Sequence, residues 1–394
     1  MEKTVRLGML GLGNMGSSHA KKLLAGEVPE ITLAAVCDIK PDRLDWAKET
    51  LGEEIPRFSD ADEMMDSGLI DALMVAVPHY DHPTFAIKAM KKGLHVLIEK
   101  PAGVYTKQVL EMMKVADECD VTFAIMMNQR TNCIYRKMRE IVKSGEMGEI
   151  KRTSWIITNW YRPQFYYDSG DWRATWAGEG GGVLLNQCPH NLDLWQWICG
   201  MPAKIDAHLH YGKWHDIEVE DDVTAYVEYP NGATGTFITT TGDSAGTNRF
   251  EIILEKGKLI AEIEGRECRL IQWKSEMTEA EFSKTCQKPF GSPEFVKCEV
   301  ETDGENRQHM GVFAAFASHI LHGTPLVADG REGINGLTIS NAMHLSAFTG
   351  KPIELANFDH ELYYEELMKR VATSRRKTVV ANAVAADMDN TFGS

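Results

Sequence analysis

Three stretches carry side chains whose types and spacing could do chemistry. The first is VRLGMLGLGNMG at 5–16, where an apolar run breaks into Gly11, Gly13 and Gly16, a G-x-G-x-x-G turn. Gly11 permits a tight turn, Gly13 lets backbone N–H groups approach a pyrophosphate with no Cβ in the way, and Gly16 lets the following helix lie close on the strand. That helix, SSHAKKLLAG, would aim its free amides and dipole at the phosphates. A glycine-rich turn alone is also what an ordinary loop looks like. Context separates the two: the next apolar run, Ile31 to Val36, ends at Asp38, 22 positions after Gly16. A second strand would there deliver a carboxylate to the adenosine ribose hydroxyls. That carboxylate repels a 2′-phosphate, so NAD is expected over NADP, with Arg43 close enough to blur the preference.

The second stretch is Glu99-Lys100-Pro101, after the apolar segment LHVLI. A lysine at the carboxyl end of a parallel strand points into the ligand crevice, and the proline fixes the backbone behind it. The alternative is a surface lysine at a strand end. The third is GGGVLLNQCPHNLDLWQWICG at 180–200, where apolar residues recur at helical spacing and Asn186, His190 and Asp193 fall at i, i+4 and i+7 on one face. Pro189 is tolerated only in a first turn, so Asn186 has a second reading as the N-cap of a helix beginning near it.

These residues need a scaffold, and the first third of the chain supplies one. Strand-like and helix-like segments alternate from Val5 to Met127: a helix from Pro41 closed by Gly52, one capped by Asp60 and stopped by Gly68, the apolar strand DALMVAV, a helix begun by His82, then LHVLI, TKQVLEMMKVADECD and VTFAIMM. That rhythm predicts a doubly wound parallel sheet, an α/β Rossmann domain over residues 1–127. After residue 128 the rhythm changes. NCIYRKMREIVKSGEMG reads as a helix, but KRTSWIITNW, AKIDAHLHYG, DDVTAYVEY, GATGTFITTT, FEIILEKGKLIAEI and RECRLIQW read as strands joined by turns. A second, α+β domain with a large, mainly antiparallel open sheet is expected over 128–380, its helices including HMGVFAAFASHILHG, EGINGLTISNAMHLSAFTG and HELYYEELMKRVATSRRK. A frayed tail is expected at 381–394.

Composition narrows the function. A chain of 394 residues with 43% apolar content holds two sizeable cores, and no apolar run is long enough to span a bilayer. The start, MEKTVRLGML, runs straight into a strand, so no leader is expected and the cytoplasm is the expected compartment. A net charge of −15 argues against nucleic acid and anionic membranes as partners. The one basic cluster, Arg375-Arg376-Lys377, reads as a solvated helix terminus. Eight cysteines scattered without C-x-x-C pairs fit buried free thiols better than disulfides or zinc. His208 and His210 alternate on one strand and could share a face with His215, but an exposed strand explains them without a metal.

The glycine turn, Glu99-Lys100-Pro101, Val77-Pro78-His79-Tyr80-Asp81-His82 and the approach to His190 together resemble the glucose-fructose oxidoreductase, inositol dehydrogenase and MocA family over nearly the whole chain. The resemblance implies NAD(P)-dependent redox chemistry on a secondary hydroxyl of a sugar, glycoside or cyclitol, often in homodimers or homotetramers. It implies that Lys100 and His190 are catalytic, with His190 as base and Lys100 as electrostatic partner, roles the two could exchange. Cofactor contacts are expected from Gly11, Gly13, Asn14, Met15, Asp38, Val77, Pro78, His82, Glu99 and Lys100. Substrate contacts are expected from Asn186, Asn128, Arg130, Tyr161, Trp172 and Arg173, since sugars offer C–H faces to aromatics and hydroxyls to polar forks. The chain departs from the family pattern at Asn186, where the family has an aspartate, and an amide cannot supply negative charge to a neighbouring cation. Two other functions stand beside the dehydrogenase. One is a redox-neutral glycosidase or lyase working through a transient 3-keto sugar, with Tyr161, Tyr166 or Tyr167 as the extra base. The other is a non-catalytic NAD sensor, disfavoured by retention of Lys100 and His190.

Overall fold

The alternation read in the first third becomes β1 (Val5–Leu10), α1 (Asn14–Leu24), β2 (Ile31–Cys37), α2 (Pro41–Leu51), β3 (Arg57–Phe58), α3 (Ala61–Asp66), β4 (Ala72–Val75), α4 (His82–Lys91), β5 (His95–Ile98), α5 (Thr106–Glu118) and β6 (Phe123–Ile125) in a computed structural model that describes residues 3–264, 267–375 and 377. The strands form one six-stranded sheet in the order β3-β2-β1-β4-β5-β6, parallel throughout. All four residues of β4 are buried, as helices on both faces require. The chain leaves β1 in one direction along the sheet and resumes at β4 in the other, so the switch point, where doubly wound sheets bind ligands, lies at the carboxyl ends of β1 and β4. Gly11, Asp38, Val77 and Lys100 all follow the carboxyl ends of strands of this sheet.

The second sheet follows α6 (Cys133–Ser144), with the short helices α7 (Gln164–Asp168) and α9 (Glu279–Thr285) in the connections between its strands. It is built from β7 (Ile150–Ile157), β8 (Lys204–Tyr211), β9 (Glu220–Glu228), β10 (Thr234–Thr240), β11 (Asn248–Leu254), β12 (Gly257–Glu264), β13 (Glu267–Lys274), β14 (Val296–Glu299) and β15 (Ile353–Glu354). Its order is β14-β13-β12-β11-β7-β10-β9-β8-β15, antiparallel except for β7 with β10. FEIILEKGKLIAEI, expected as one strand, is a hairpin: Leu254 pairs with Gly257, whose φ of +136° lets the chain reverse after Glu255-Lys256. On the buried face Trp155 stacks on Phe250 with ring centroids 4.2 Å apart. Against that face lies α8 (Pro189–Cys199), buried along nearly its whole length, and beside it α11 (Gly333–Thr349), whose Ser346 Oγ accepts from Ala207 N of β8 at 3.0 Å.

Later in the chain α10 (Gln308–His322) returns to the first sheet. Its Met310, Val312, Phe313 and Phe316 join the apolar cluster of Leu7, Met9, Leu33 and Val36, so a helix from late in the chain packs on the first sheet. The last helix, α12, covers His360–Ala372 and ends before the basic cluster expected to terminate it. Arg375 instead pairs with Asp216 at 3.0 Å, and Lys377 donates to the Tyr167 carbonyl. Arg376 and the expected tail at 381–394 lie outside the described residues. All eight cysteines are free, and Cys268 and Cys298 are exposed where burial was expected. Among the described residues no helix is long and apolar enough to cross a membrane.

Candidate active site

The glycine turn ends in a helix start stripped of side chains. Gly13 is the N-cap of α1, no side chain caps the first turn and no acidic residue lies in it, so its amides face outward without an internal acceptor. A Cβ on Gly13 would meet nothing within 4 Å, whereas one on Gly16 would lie 1.9 Å from the Gly11 oxygen. The open space is therefore above Gly13, where an incoming phosphate would sit, and the closed packing is behind it, with Asn14 and Met15 opening the helix. Asp38 stands beside the turn, its Oδ2 accepting from Leu12 N at 2.7 Å and its Oδ1 from Lys40 N at 2.9 Å. Each oxygen keeps a lone pair for a hydroxyl. Arg43, the residue expected to blur the preference, donates from Nε to Leu12 O at 2.7 Å and from Nη2 to Ser17 Oγ at 2.6 Å, and stacks on Trp46. These residues fit the phosphate and ribose end of a dinucleotide.

Val77 and Pro78 follow the carboxyl end of β4, whereas His82, expected to touch the cofactor, is only 1% exposed. The His82 ring is buried, with Nε2 2.8 Å from Val77 O and Nδ1 2.7 Å from Pro101 O, and thus ties the loop after β4 to the one after β5. Glu99 was expected to touch the cofactor, but it is 5% exposed and both oxygens are engaged: Oε1 lies 2.7 Å from His19 Nε2, and Oε2 accepts from Lys100 N at 3.1 Å. Burial alone would raise its pKa; the hydrogen bond from His19 and the positive charge around it overcome that and bring it to about 2. Glu99 is thus a fixed anion beneath Lys100.

Lys100 Nζ donates to the Asn186 carbonyl at 2.9 Å, which fastens the end of β5 to the turn ahead of α8. Burial lowers the pKa of this amine, opposed by the carboxylates of Glu99 and Glu179. His190 sits in the first turn of α8, 6% exposed, its Nδ1 buried with no protein partner. Burial first, then Lys100 and His309, hold its pKa well below the ordinary histidine value, so the imidazole is neutral at physiological pH. An amine and a neutral imidazole in one buried neighbourhood form an acid–base pair for an alcohol.

Several expectations fail here for physical reasons. Asn186, His190 and Asp193 do not share a helix face, because α8 begins only at Pro189 and its N-cap is Cys188, not Asn186. The Asn186 side chain instead donates from Nδ2 to Glu179. Asp193 faces away from His190's neighbourhood: its carboxylate takes two parallel bonds from Arg130, 2.8 and 2.7 Å long. Arg130, expected to hold substrate, is a buried framework group that also reaches Glu332 at 2.8 Å. Asn128 is fully buried and donates to Gln308 Oε1 at 2.5 Å, anchoring the start of α10 instead of facing a ligand. Tyr161 is 46% exposed. Trp172 and Arg173 do lie by the crevice. Trp172 meets the His79 ring edge-on with centroids 5.8 Å apart, and Arg173 stacks between Trp172 and Tyr166 while donating to the Tyr166 hydroxyl at 2.9 Å. His208 and His210 are exposed, while His215 is held inside by Asp221, so the three do not converge.

Two residues near Lys100 and His190, His309 and Glu179, escaped the sequence reading, while His19 was expected near the cofactor crevice. His309, on α10, has its ring 5.1 Å from that of His19, and its pKa falls to about 4 through burial and neighbouring positive charge. His19 is the partner of Glu99. Glu179 is 2% exposed, and its one sequence signal was to be the lone acid in the run GEGGG.

Residues 5–127 match the family model described as oxidoreductase family, NAD-binding Rossmann fold, and residues 135–260 match the GFO/IDH/MocA C-terminal domain. The chain is similar to a myo-inositol 2-dehydrogenase of Thermotoga maritima, 26% identical over 268 residues that make up 66% of this chain and 75% of that one. It is similar to a scyllo-inositol 2-dehydrogenase (NAD(+)) of Bacillus subtilis, 26% identical over 60% of this chain and 67% of that one. Among solved structures it is similar to the WlbA dehydrogenase of Bordetella pertussis in complex with NADH and UDP-GlcNAcA, with a TM-score of 0.77 and 25% identity over 91% of this chain and 99% of that one. With one model over the parallel sheet and the other over most of the second sheet, the chain belongs to the GFO/IDH/MocA family of oxidoreductases and carries an NAD-binding Rossmann domain.

Proposed function

We propose that the protein is an NAD-dependent dehydrogenase that oxidises a secondary hydroxyl of a sugar, glycoside or cyclitol. The observation that carries this reading is the 2.9 Å bond from Lys100 Nζ to Asn186 O, which brings an amine from one domain to the turn that presents His190 from the other. The inositol dehydrogenases among its relatives support the substrate class. NAD, held by Gly11, Gly13, Asn14, Met15 and Asp38, would supply the hydride acceptor. The protein's own part is acid–base and electrostatic. His190, kept neutral by burial, accepts the hydroxyl proton. Lys100, carrying its proton, stabilises negative charge on the same oxygen. Trp172 and Arg173 offer an aromatic face and a cationic fork to the ring, and Asn186 completes the polar wall. Asp38 excludes a 2′-phosphate, and Arg43, tied to Leu12 and Ser17, leaves NAD preferred.

Replacing either residue tests the reading. Lys100→Ala and His190→Ala should each bind NADH as the parent does and lose about 100-fold or more in kcat on a hexose, glycoside or inositol that the parent oxidises. Near-parent rates in either variant would overturn the assignment. The redox-neutral alternative rests on Tyr166, whose hydroxyl accepts from Arg173 and lies 3.3 Å from Gln187 Nε2. Release of aglycone from a glycoside without NADH accumulation would favour it.

A further inference from the structure

We propose that Glu179 is the positioning residue of this site: its buried carboxylate grips Asn186 and supplies Lys100 with the negative charge that an amide at 186 does not carry. The inference rests on the reading of Lys100 and His190 given above. Three contacts build the arrangement. Lys100 Nζ donates to Asn186 O at 2.9 Å, Asn186 Nδ2 donates to Glu179 Oε1, and Ala174 N donates to Glu179 Oε2 at 2.6 Å. Ala174 is held at a φ of +52°, a region that non-glycine residues rarely occupy, and in that conformation its amide meets the carboxylate. Gly178 has no side chain because a Cβ there would lie 2.5 Å from the Trp172 oxygen, so the loop folds tightly enough to turn Glu179 inward.

Among the described residues no other carboxylate nearby is placed to do this. Glu99 is engaged by His19 and by the Lys100 backbone. Glu220, another buried acid, accepts from Gly182 N at 2.8 Å and Leu184 N at 2.9 Å and lies 3.0 Å from His344 Nε2. The charged and titratable groups that Lys100 senses are Glu99, Glu179, Arg173 and Cys188. Histidines 79, 82, 190 and 309 sense Lys100 in turn. On its other side Glu179 faces Arg173 and Glu220, with Tyr167 and Lys377 also feeling its charge. Glu99 also raises the pKa of Lys100, but it is held by His19, so Glu179 is the second carboxylate acting on Nζ and the one joined to it through Asn186.

The test reads Lys100 directly. The NAD-loaded protein is labelled with acetic anhydride across a pH series, and the extent of Lys100 acetylation is read by peptide mass spectrometry. Glu179→Gln should move the half-labelling pH of Lys100 down by about one unit, a tenfold change in its acid dissociation constant. Glu179→Gln combined with Asn186→Asp, which exchanges the acid and the amide, should restore it. Glu179→Asp keeps the charge but withdraws it from Asn186, and should fall between. If Glu179→Gln does not fold, Glu179→Asp carries the comparison. A half-labelling pH unchanged in every folded variant overturns the proposal. Because labelling needs no turnover, a shift in a protein that oxidises no sugar would sink the dehydrogenase reading and leave this one standing.

Discussion

Asp193→Asn removes one charge from the heart of the second domain and keeps the side chain's shape. The Arg130 and Asp193 side chains are 1% and 2% exposed and share two parallel hydrogen bonds of 2.8 and 2.7 Å. After the substitution the guanidinium keeps, as its charged partner, Glu332, which is 39% exposed and correspondingly screened. Breaking a buried pair from one side costs about 3–5 kcal/mol. With Glu332 still in place, the expected loss is roughly 3 kcal/mol, since one charged partner remains. For a unit of this size that lowers the thermal midpoint by about 6–12 °C. Circular dichroism melts of the parent, Asp193→Asn and the double variant Arg130→Met with Asp193→Leu measure it. The double variant should recover most of the loss, because two apolar groups of similar volume leave no orphaned charge. Kinetics should report the same event: Asp193 lies one turn after His190, and Arg130 lies two residues after the Asn128 that anchors α10, so a loosened pair lowers kcat as well as stability. A midpoint within about 2 °C of the parent, or a double variant no better than the single one, would refute the reasoning.

Gly13→Ala should melt with the parent yet bind NADH at least tenfold more weakly by fluorescence titration, because its Cβ enters only open space where the phosphates would come. Gly16→Ala should instead lose stability, its Cβ driven into the Gly11 oxygen. The ratio of Kd values for NADP and NAD should exceed ten, and Asp38→Ala should narrow it; a parent that prefers NADP contradicts the role given to Asp38. Stability should fall with acid in two stages. His79 and His190 have folded-state pKa values depressed by burial, so below the ordinary histidine value of about 6.5 only the unfolded chain takes their protons, and each costs up to about 1.4 kcal/mol per pH unit. Glu99, lowered to about 2, adds stability above the ordinary carboxyl range that is lost as pH falls towards 2. A flat urea-melt stability between pH 6.5 and 4.5 would contradict both the histidine burial and its sign.

What the sequence disclosed is what local chemistry enforces. The glycine turn, Asp38 and Lys100 were legible because each breaks an apolar run at the point where a parallel strand must end, and Asp60 and Gly52 were legible as caps because end groups need partners within a few residues. The hairpin hidden in FEIILEKGKLIAEI was missed although Gly257 marked it, because unbroken β character on both sides masked a two-residue reversal. The helical spacing that placed Asn186 and His190 on one face ran on through a stretch that Glu220 winds into turns by taking Gly182 N and Leu184 N, a contact made from 36 or more residues away. Arg130 looked like a ligand-binding fork because an arginine's sequence neighbours do not reveal a partner 63 residues on.

The same distinction explains how a chain with Asn186 can keep Lys100 and His190. A proton-transferring group must project from one backbone position, at a strand end or in a helix's first turn, so its place in the sequence is constrained. The charge that holds such a group in its working state acts through space, and any buried carboxylate within reach supplies it. In the role proposed for it, Glu179, 79 positions from Lys100 and seven before Asn186, meets that need from a loop that no periodicity singles out. On the proposed reading, an amide at 186 is compatible with chemistry at Lys100 and His190 only while Glu179 stays buried and bonded. Asn186→Leu, which leaves the Lys100-to-carbonyl bond possible but strips Glu179 of its amide partner, should lower kcat far more than it lowers the affinity for NADH. Equal losses in both would place Asn186 in cofactor binding instead.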